Sequence, residues 1–225
     1  MDLKQIIEET IETDWKNLLF SSLSDENEKL KQFYDKTIFP PNNQIFRAFS
    51  KFNIQDTKVV IIGQDPYPSI DKNTQKPFAC GLSFAIQKGQ KIAPSFRNIC
   101  NEMYRCYKNK RSDNPELTDL VDQGVLLLNR SLTVVKDEPN SHKNIWKKFT
   151  NNIIEYISRH CKNVVFILWG RNAQELEDFI EPSNHYILKW THPSPLSRRP
   201  FVGNNHFVLA NDYLEKHNRS VIKWC

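Results

Sequence analysis

The chain has 225 residues, of which 39% are hydrophobic, and it carries a formal net charge of +5. No Gly/Ser-rich or Pro-rich linker divides it, so we expect a single domain over residues 1–225. No run of apolar residues is long enough to span a bilayer, so a membrane protein is not expected. Five cysteines without a CxxC pair do not predict a disulfide framework.

The first predicted element is an N-terminal helical segment over about residues 1–40. It begins with an amphipathic stretch in which Ile6, Ile7, Ile11 and Trp15 follow a helical spacing. The segment is acidic. It lacks the basic start and apolar centre of a signal peptide, and the arginine-rich composition of a transit peptide. We therefore expect an intracellular protein, cytoplasmic if the source is bacterial or viral, and nuclear if it is eukaryotic or acts in a host nucleus.

Four apolar runs predict buried strands, at residues 59–62, 125–128, 164–168 and 186–190. The first three are nearly continuous, which is typical of parallel strands covered on both faces. Helical patterns at 94–107 and 144–160 lie between them. The order predicts an α/β fold with three layers, α/β/α, around a central and mostly parallel four-stranded sheet.

Polar side chains follow three of these strands. Asp65 follows the first, Asn129 the second and His192 the fourth. A single polar residue after a strand is usually a turn residue or a helix cap. In an open parallel sheet, however, ligands bind beyond the carboxyl ends of the strands. Three such residues at one predicted edge therefore indicate a functional site.

The sequence contains no GxxxxGK[ST], GxGxxG, HExxH or GxSxG motif and no cysteine–histidine spacing suited to zinc. One carboxylate, one carboxamide and one imidazole suit a hydrolysis that needs neither metal nor cofactor. The carboxamide can read an amide-like edge, and the imidazole can hydrogen-bond an oxygen on which negative charge develops.

Four motifs carry a family resemblance: "GQDPYP" at 63–68, "GLSFAI" at 81–86, "GVLLLNRSLTV" at 124–134 and "HPSPLS" at 192–197. In order and spacing, from about residue 40 to 215, the sequence resembles the family 1 uracil-DNA glycosylases. The resemblance implies an enzyme that flips uracil out of single- or double-stranded DNA and hydrolyses its N-glycosidic bond without a cofactor. It also implies a monomer whose other partners include protein inhibitors or replication proteins.

The resemblance assigns roles position by position. Asp65 would orient water and stabilise positive charge on the sugar, and His192 would hydrogen-bond uracil O2. Asn129 would pair with the N3 and O4 edge of the base. The residues matched to uracil binding are Gln64 (through its backbone), Tyr67 (against C5, excluding the thymine methyl), Phe84 (stacking) and Asn129.

DNA contacts also carry over from the family. Leu196 would enter the stack vacated by the flipped base, and neighbouring hydroxyls would hold phosphates. The matched positions are Pro94, Ser95, Arg171, Ser194, Pro195, Leu196 and Ser197. Without the resemblance, Phe84 would be interpreted as an ordinary core residue and Leu196 as an unremarkable loop residue.

The sequence departs from the family at four places. Pro68 stands where most members have a histidine, and Arg171 stands where a phosphate-contacting serine is common. Residues 69–80 are several residues longer than usual, which predicts a surface insertion near the pocket mouth. A glycine common after "SHK" is missing.

Two alternatives remain open from the sequence. One is an accessory DNA-binding protein that keeps the fold and acts as a scaffold for a polymerase. The intact Asp65 and His192 argue against scaffolding alone. The other is a sister glycosylase specialised for a different deaminated or mismatched base.

Overall fold

The computed structural model describes residues 2–111 and 114–225. Its strands are β1 Ile38–Phe39, β2 Val59–Gly63, β3 Val125–Asn129, β4 Val134–Val135, β5 Val165–Trp169 and β6 Tyr186–Trp190. Its α-helices are α1 Leu3–Thr10, α2 Trp15–Ser22, α3 Glu26–Lys31, α4 Pro94–Tyr107, α5 Thr118–Val121, α6 Lys143–His160, α7 Arg171–Gln174 and α8 His206–Lys216.

The main sheet has the strand order β3-β2-β5-β6, and all of its neighbouring strands are parallel. Its four strands are the four predicted apolar runs. Every residue of β2, β3 and β5 is buried, as continuous apolar runs predict for strands covered on both faces. With helices flanking the sheet, the predicted α/β fold class is confirmed.

Helices cover the sheet through aromatic contacts. The Trp169 ring of β5 meets Phe207 of α8 at a centroid distance of 6.0 Å, and α8 in turn contacts α4. Trp146 and Phe149 of α6 pack on Phe46, with centroid distances of 6.1 Å in each case, and α6 also contacts α2 and α3. None of the helices in the described ranges is long and apolar enough to cross a membrane.

Within residues 2–40 the N-terminal helical segment consists of the three helices α1, α2 and α3. Helix α1 ends at Thr10 and α2 begins at Trp15. The Trp15 indole packs on Phe49 at 5.2 Å and donates a hydrogen bond to the Phe52 carbonyl at 2.9 Å, and this contact fixes where the chain turns. The antiparallel pair of β1 and β4 was not predicted, because strands of two residues are too short to show an alternation.

Strand register brings the site residues to one edge of the sheet. Gly63, the last residue of β2, lies opposite Asn129, the last residue of β3. Trp169 at the end of β5 lies opposite Trp190 at the end of β6. Asp65 and His192 each follow a strand end by two residues, so they reach the same edge as Asn129.

Candidate active site

A cavity of about 140 Å³ opens at the carboxyl edge of the sheet. Each predicted catalytic and uracil-binding residue lies on its wall. The lining residues are Gly63, Gln64, Asp65, Pro66, Tyr67, Pro68, Ala79, Cys80, Gly81, Leu82, Phe84, Ser95, Asn129 and His192. The fold thus gathers into one small cavity groups that lie up to 129 residues apart in sequence.

Gly63 makes room for the Asn129 side chain. A Cβ at this glycine would overlap Asn129 Oδ1 and would lie 2.8 Å from Ser83 Cβ. Asn129 itself is only 7% exposed. The glycine at the end of β2 therefore allows the Asn129 carboxamide to pack against the neighbouring strand while lining the cavity.

The Asp65 carboxylate is held by a loop from another part of the chain. Its Oδ2 accepts a hydrogen bond from the Asn140 backbone N–H at 2.8 Å. Burial raises the pKa of Asp65 above its ordinary value of 3.8, and the bond from Asn140 opposes this shift in part. A carboxylate with a raised pKa is a stronger base than a free aspartate, which suits the activation of water.

The His192 ring is fixed in one tautomer. Its Nδ1 accepts the Ser194 backbone N–H at 3.0 Å, so the proton of the neutral ring lies on Nε2. Burial lowers the pKa of His192 below 6.5, which favours that neutral ring. The side chain packs closely on Gly170, whose φ is +85° and where a Cβ would lie 3.0 Å from His192 Cβ. The ring is therefore a neutral N–H donor on a constrained loop.

Phe84 reaches the cavity through an uncommon backbone conformation, with a φ of +63°. Non-glycine residues in this region are uncommon and cluster at functional sites. The ring lies 5.7 Å from Trp169 and 5.8 Å from His192, measured between centroids. It is 8% exposed and joins the main core cluster while lining the cavity, so it is both a core residue and a wall.

The Tyr67 hydroxyl donates a long hydrogen bond of 3.4 Å to the Phe84 carbonyl. Burial raises the pKa of Tyr67, so the phenol stays protonated. The ring therefore presents an uncharged surface to the cavity.

The loop after His192 presents Leu196 to solvent. The Leu196 side chain is 93% exposed, which is unusual for a large apolar residue. The loop itself is well braced: the Leu196 N–H donates to Ser194 Oγ at 3.2 Å, and the Ser197 hydroxyl donates to the His192 carbonyl at 2.7 Å. A rigid loop thus holds an exposed leucine beside the cavity.

The other predicted DNA contacts lie around this loop. Pro94 is the exposed first residue of α4, and Ser95 beside it lines the cavity. Asn98 of the same helix donates a hydrogen bond to the Pro193 carbonyl at 2.8 Å, which connects α4 to the loop that carries Leu196. Pro195 is exposed on that loop. Arg171 is exposed at the start of α7 and lies outside the cavity wall.

Two residues that the sequence did not indicate hold the Gln64 side chain. Gln64 Nε2 donates to Asn140 Oδ1 at 2.8 Å, and Gln64 Oε1 accepts from Asn172 Nδ2 at 2.8 Å. Both ends of the Gln64 amide are therefore occupied, and its backbone carbonyl also accepts the Ser131 N–H, at 3.0 Å. Asn140 lies 75 residues from Asp65, and no local pattern marks either asparagine.

Comparison with known proteins decides the family. Residues 49–215 match the model of the uracil DNA glycosylase superfamily. The chain belongs to this superfamily. It is 43% identical to a uracil-DNA glycosylase of Borreliella burgdorferi (strain ZS7) over 224 residues, covering 95% of this chain and 98% of that one. It is 40% identical to a uracil-DNA glycosylase of Campylobacter concisus (strain 13826), covering 95% and 94% of the two chains.

The fold is also that of a solved superfamily member. The crystal structure of mimivirus uracil-DNA glycosylase matches with a TM-score of 0.89 at 25% identity, and the match covers 100% of this chain and 89% of that one.

The departures from the glycosylase motifs have clear positions. Pro68 lines the cavity, and its carbonyl accepts the Asp137 N–H at 2.8 Å. The longer segment 69–80 lies at the cavity, where its last residues Ala79 and Cys80 form part of the wall. The missing glycine does not interrupt α6, which runs without a break from Lys143 to His160.

Proposed function

We propose that this chain is a family 1 uracil-DNA glycosylase that flips uracil out of DNA and hydrolyses its N-glycosidic bond. The products are free uracil and an abasic site. One observation carries the proposal: Asp65, Asn129 and His192, which lie at or just after the ends of three different strands, line one cavity of about 140 Å³ together with Tyr67 and Phe84. A cavity of this size suits a single base.

The chemistry separates charge across the bond between deoxyribose C1′ and uracil N1. As this bond breaks, its electron pair moves to the base and C1′ becomes positive. The Asp65 carboxylate stabilises that positive charge and orients the water, whose oxygen bonds to C1′ while its proton passes through Asp65 to solvent. The uracil anion that leaves takes up a proton from solvent and becomes free uracil. The Nε2–H of neutral His192 donates to uracil O2, where negative charge develops. The environments of the two groups suit these roles, because burial makes Asp65 a stronger base than a free aspartate and keeps His192 neutral.

Base selection uses shape and hydrogen bonding. The Asn129 carboxamide offers one donor and one acceptor to the O4 and N3 edge of uracil. Cytosine carries an amino group in place of O4, so two donors would face each other and an unpaired buried group would result. Phe84 stacks on the base. Tyr67 lies against C5, where the thymine methyl would clash.

Unstacking a base from a duplex costs a few kcal/mol of free energy, which contacts with the protein must offset. An apolar side chain inserted between base steps is one such device, and Leu196 with its 93% exposure is available for it. Ser95, Ser194 and Ser197 hold flanking phosphates, and Arg171 adds a charge-assisted contact. Such contacts position the strand without reading its sequence.

We also propose a monomeric, single-domain protein that works inside the cell on single- and double-stranded DNA. Protein inhibitors and replication proteins are the further partners that we propose. A variant of the mimivirus enzyme has been solved in complex with UGI, and it matches this chain with a TM-score of 0.90 at 25% identity, which supports an inhibitor as a partner.

The test is an oligonucleotide with one uracil, incubated with the protein in EDTA and then treated with alkali to cleave abasic sites. We expect strand cleavage at the uracil position in both single- and double-stranded substrates. The absence of cleavage at enzyme excess would contradict the proposal. Parallel substrates with hypoxanthine or thymine complete the assay, because cleavage of these alone would assign the cavity to another base.

A further inference from the structure

Residues 69–80, the inserted segment, form a closed hairpin rather than an open loop. The Asp71 N–H donates to the Lys76 carbonyl at 2.8 Å, and the Phe78 N–H donates to the Ser69 carbonyl at 3.1 Å. Ile70 and Pro77 form an antiparallel bridge. A segment closed in this way has a defined position and can support its neighbours.

The Asp71 carboxylate holds this hairpin together. The residue is 4% exposed, and its Oδ1 accepts the backbone N–H groups of Asn73 at 2.8 Å and Thr74 at 2.9 Å. Its Oδ2 accepts the Lys91 N–H at 3.3 Å. Backbone hydrogen bonds, the one from Thr74 foremost, lower the pKa of Asp71 and keep it ionised.

Further bonds fix the hairpin to the loop that precedes α4. Gln90 Nε2 donates to the Pro77 carbonyl at 2.9 Å, and Gln87 Nε2 donates to the Ala79 carbonyl at 3.3 Å. The same loop leads into Ser95 on the cavity wall. The inserted segment therefore borders the cavity on one side and is hydrogen-bonded on the other side to the loop that precedes α4.

Phe78 places this hairpin against Tyr67. The two rings meet edge to face, with centroids 6.5 Å apart and an interplanar angle of 68°. Tyr67 lines the cavity and Phe78 does not, so Phe78 supports the tyrosine ring from outside. The only hydrogen bond found for the Tyr67 hydroxyl among the described residues is long, at 3.4 Å, so packing sets the position of the ring.

We propose that the inserted segment sets the exclusion of 5-methylated bases, with Phe78 as a positioning residue for Tyr67 and Asp71 as the residue that holds Phe78 in place. The inference rests on the proposed function, in which Tyr67 faces C5 of the base. A ring that can retreat leaves room for a methyl group. A pocket that distinguishes two ligands by one methyl group prefers one of them by roughly 10- to 200-fold. The preference for uracil over thymine can therefore fall by up to this factor when Tyr67 is free to move.

The experiment compares single-turnover release of uracil and of thymine from otherwise identical oligonucleotides, with enzyme in excess. For Phe78→Ala we expect the thymine-to-uracil rate ratio to rise at least tenfold over wild type. Phe78→Leu, which keeps most of the volume, stays close to wild type. Tyr156→Ala is the matched control, because Tyr156 is a half-buried aromatic outside the cavity wall, and its ring is tilted against that of His160 with centroids 4.2 Å apart.

A double-mutant cycle separates positioning from general destabilisation. Phe78→Ala acts through Tyr67, so in a Tyr67→Ala background it adds little to thymine release. Asp71→Ala provides a second route to the same relaxation if Phe78→Ala does not fold. The proposal is overturned if neither variant releases detectable thymine, or if Phe78→Ala raises the ratio equally with and without Tyr67. Failure of wild type to release uracil would instead contradict the proposed function itself.

Discussion

Gly63→Ala tests whether the position of Asn129 decides uracil recognition. Gly63 ends β2 beside Asn129 of β3, in the middle of a sheet that cannot move as a whole. An alanine Cβ there would overlap Asn129 Oδ1 and would lie 2.8 Å from Ser83 Cβ, against about 3.4 Å for ordinary contact. The Asn129 amide is the group that can rotate away, so it takes most of the displacement.

The expected loss follows from that displacement. A shift of about 1 Å in a positioning group costs roughly 100-fold in rate. We expect kcat/KM for uracil release to fall by about that factor. The overpacked strand end lowers the free energy of unfolding by about 1–3 kcal/mol.

Single-turnover uracil release and thermal unfolding measure the two effects separately. Gly203→Ala is the control, because a Cβ there meets nothing within 4 Å, although its φ of +104° makes alanine costly. It loses stability by about 1 kcal/mol and keeps its activity. Full activity in a folded Gly63→Ala variant would refute the assigned role of Asn129.

Three further predictions follow from the same cavity. Tyr67→Ala releases thymine at a rate roughly 10- to 100-fold above wild type, measured on thymine oligonucleotides, and no thymine release would contradict the steric account. Leu196→Ala lowers the rate of uracil release roughly tenfold on duplex substrate but not on single-stranded substrate. Its free energy of unfolding changes by no more than about 0.5 kcal/mol, because the side chain is exposed. The raised pKa of Asp65 means that its charged form destabilises the fold and that this penalty grows as pH rises through the folded pKa. Asp65→Asn therefore raises Tm at pH 7 but not at pH values below about 3.8, and a lower Tm at pH 7 would contradict the burial argument.

The sheet was predictable because burial on both faces leaves a direct mark on the sequence. The runs that became β2, β3 and β5 are almost wholly apolar, and β2 and β3 end at Gly63 and Asn129 on the cavity wall. The break between α1 and α2 was not predictable. Trp15 fits the helical spacing, but its position is set by Phe49 and Phe52, more than 30 residues away.

The sequence predicted which side chains lie together at the cavity, but not the hydrogen bonds and packing contacts that hold them in place. The motifs indicated Asp65 and His192. They did not indicate that the backbone N–H of Asn140 binds Asp65 or that the backbone N–H of Ser194 binds His192. The positive φ of Phe84 likewise depends on tertiary packing, since nothing in the local residue pattern requires it. The contact of Phe78 with Tyr67 depends on how the inserted segment folds back.

The central claim is that Asp65 and His192 carry the chemistry, and a double variant tests it most directly. Asp65→Asn combined with His192→Ala is compared with wild type in single-turnover uracil release, with DNA binding followed by fluorescence anisotropy. We expect release to fall by about 10⁴-fold while binding persists. Release within about tenfold of wild type by the folded double variant would contradict the account.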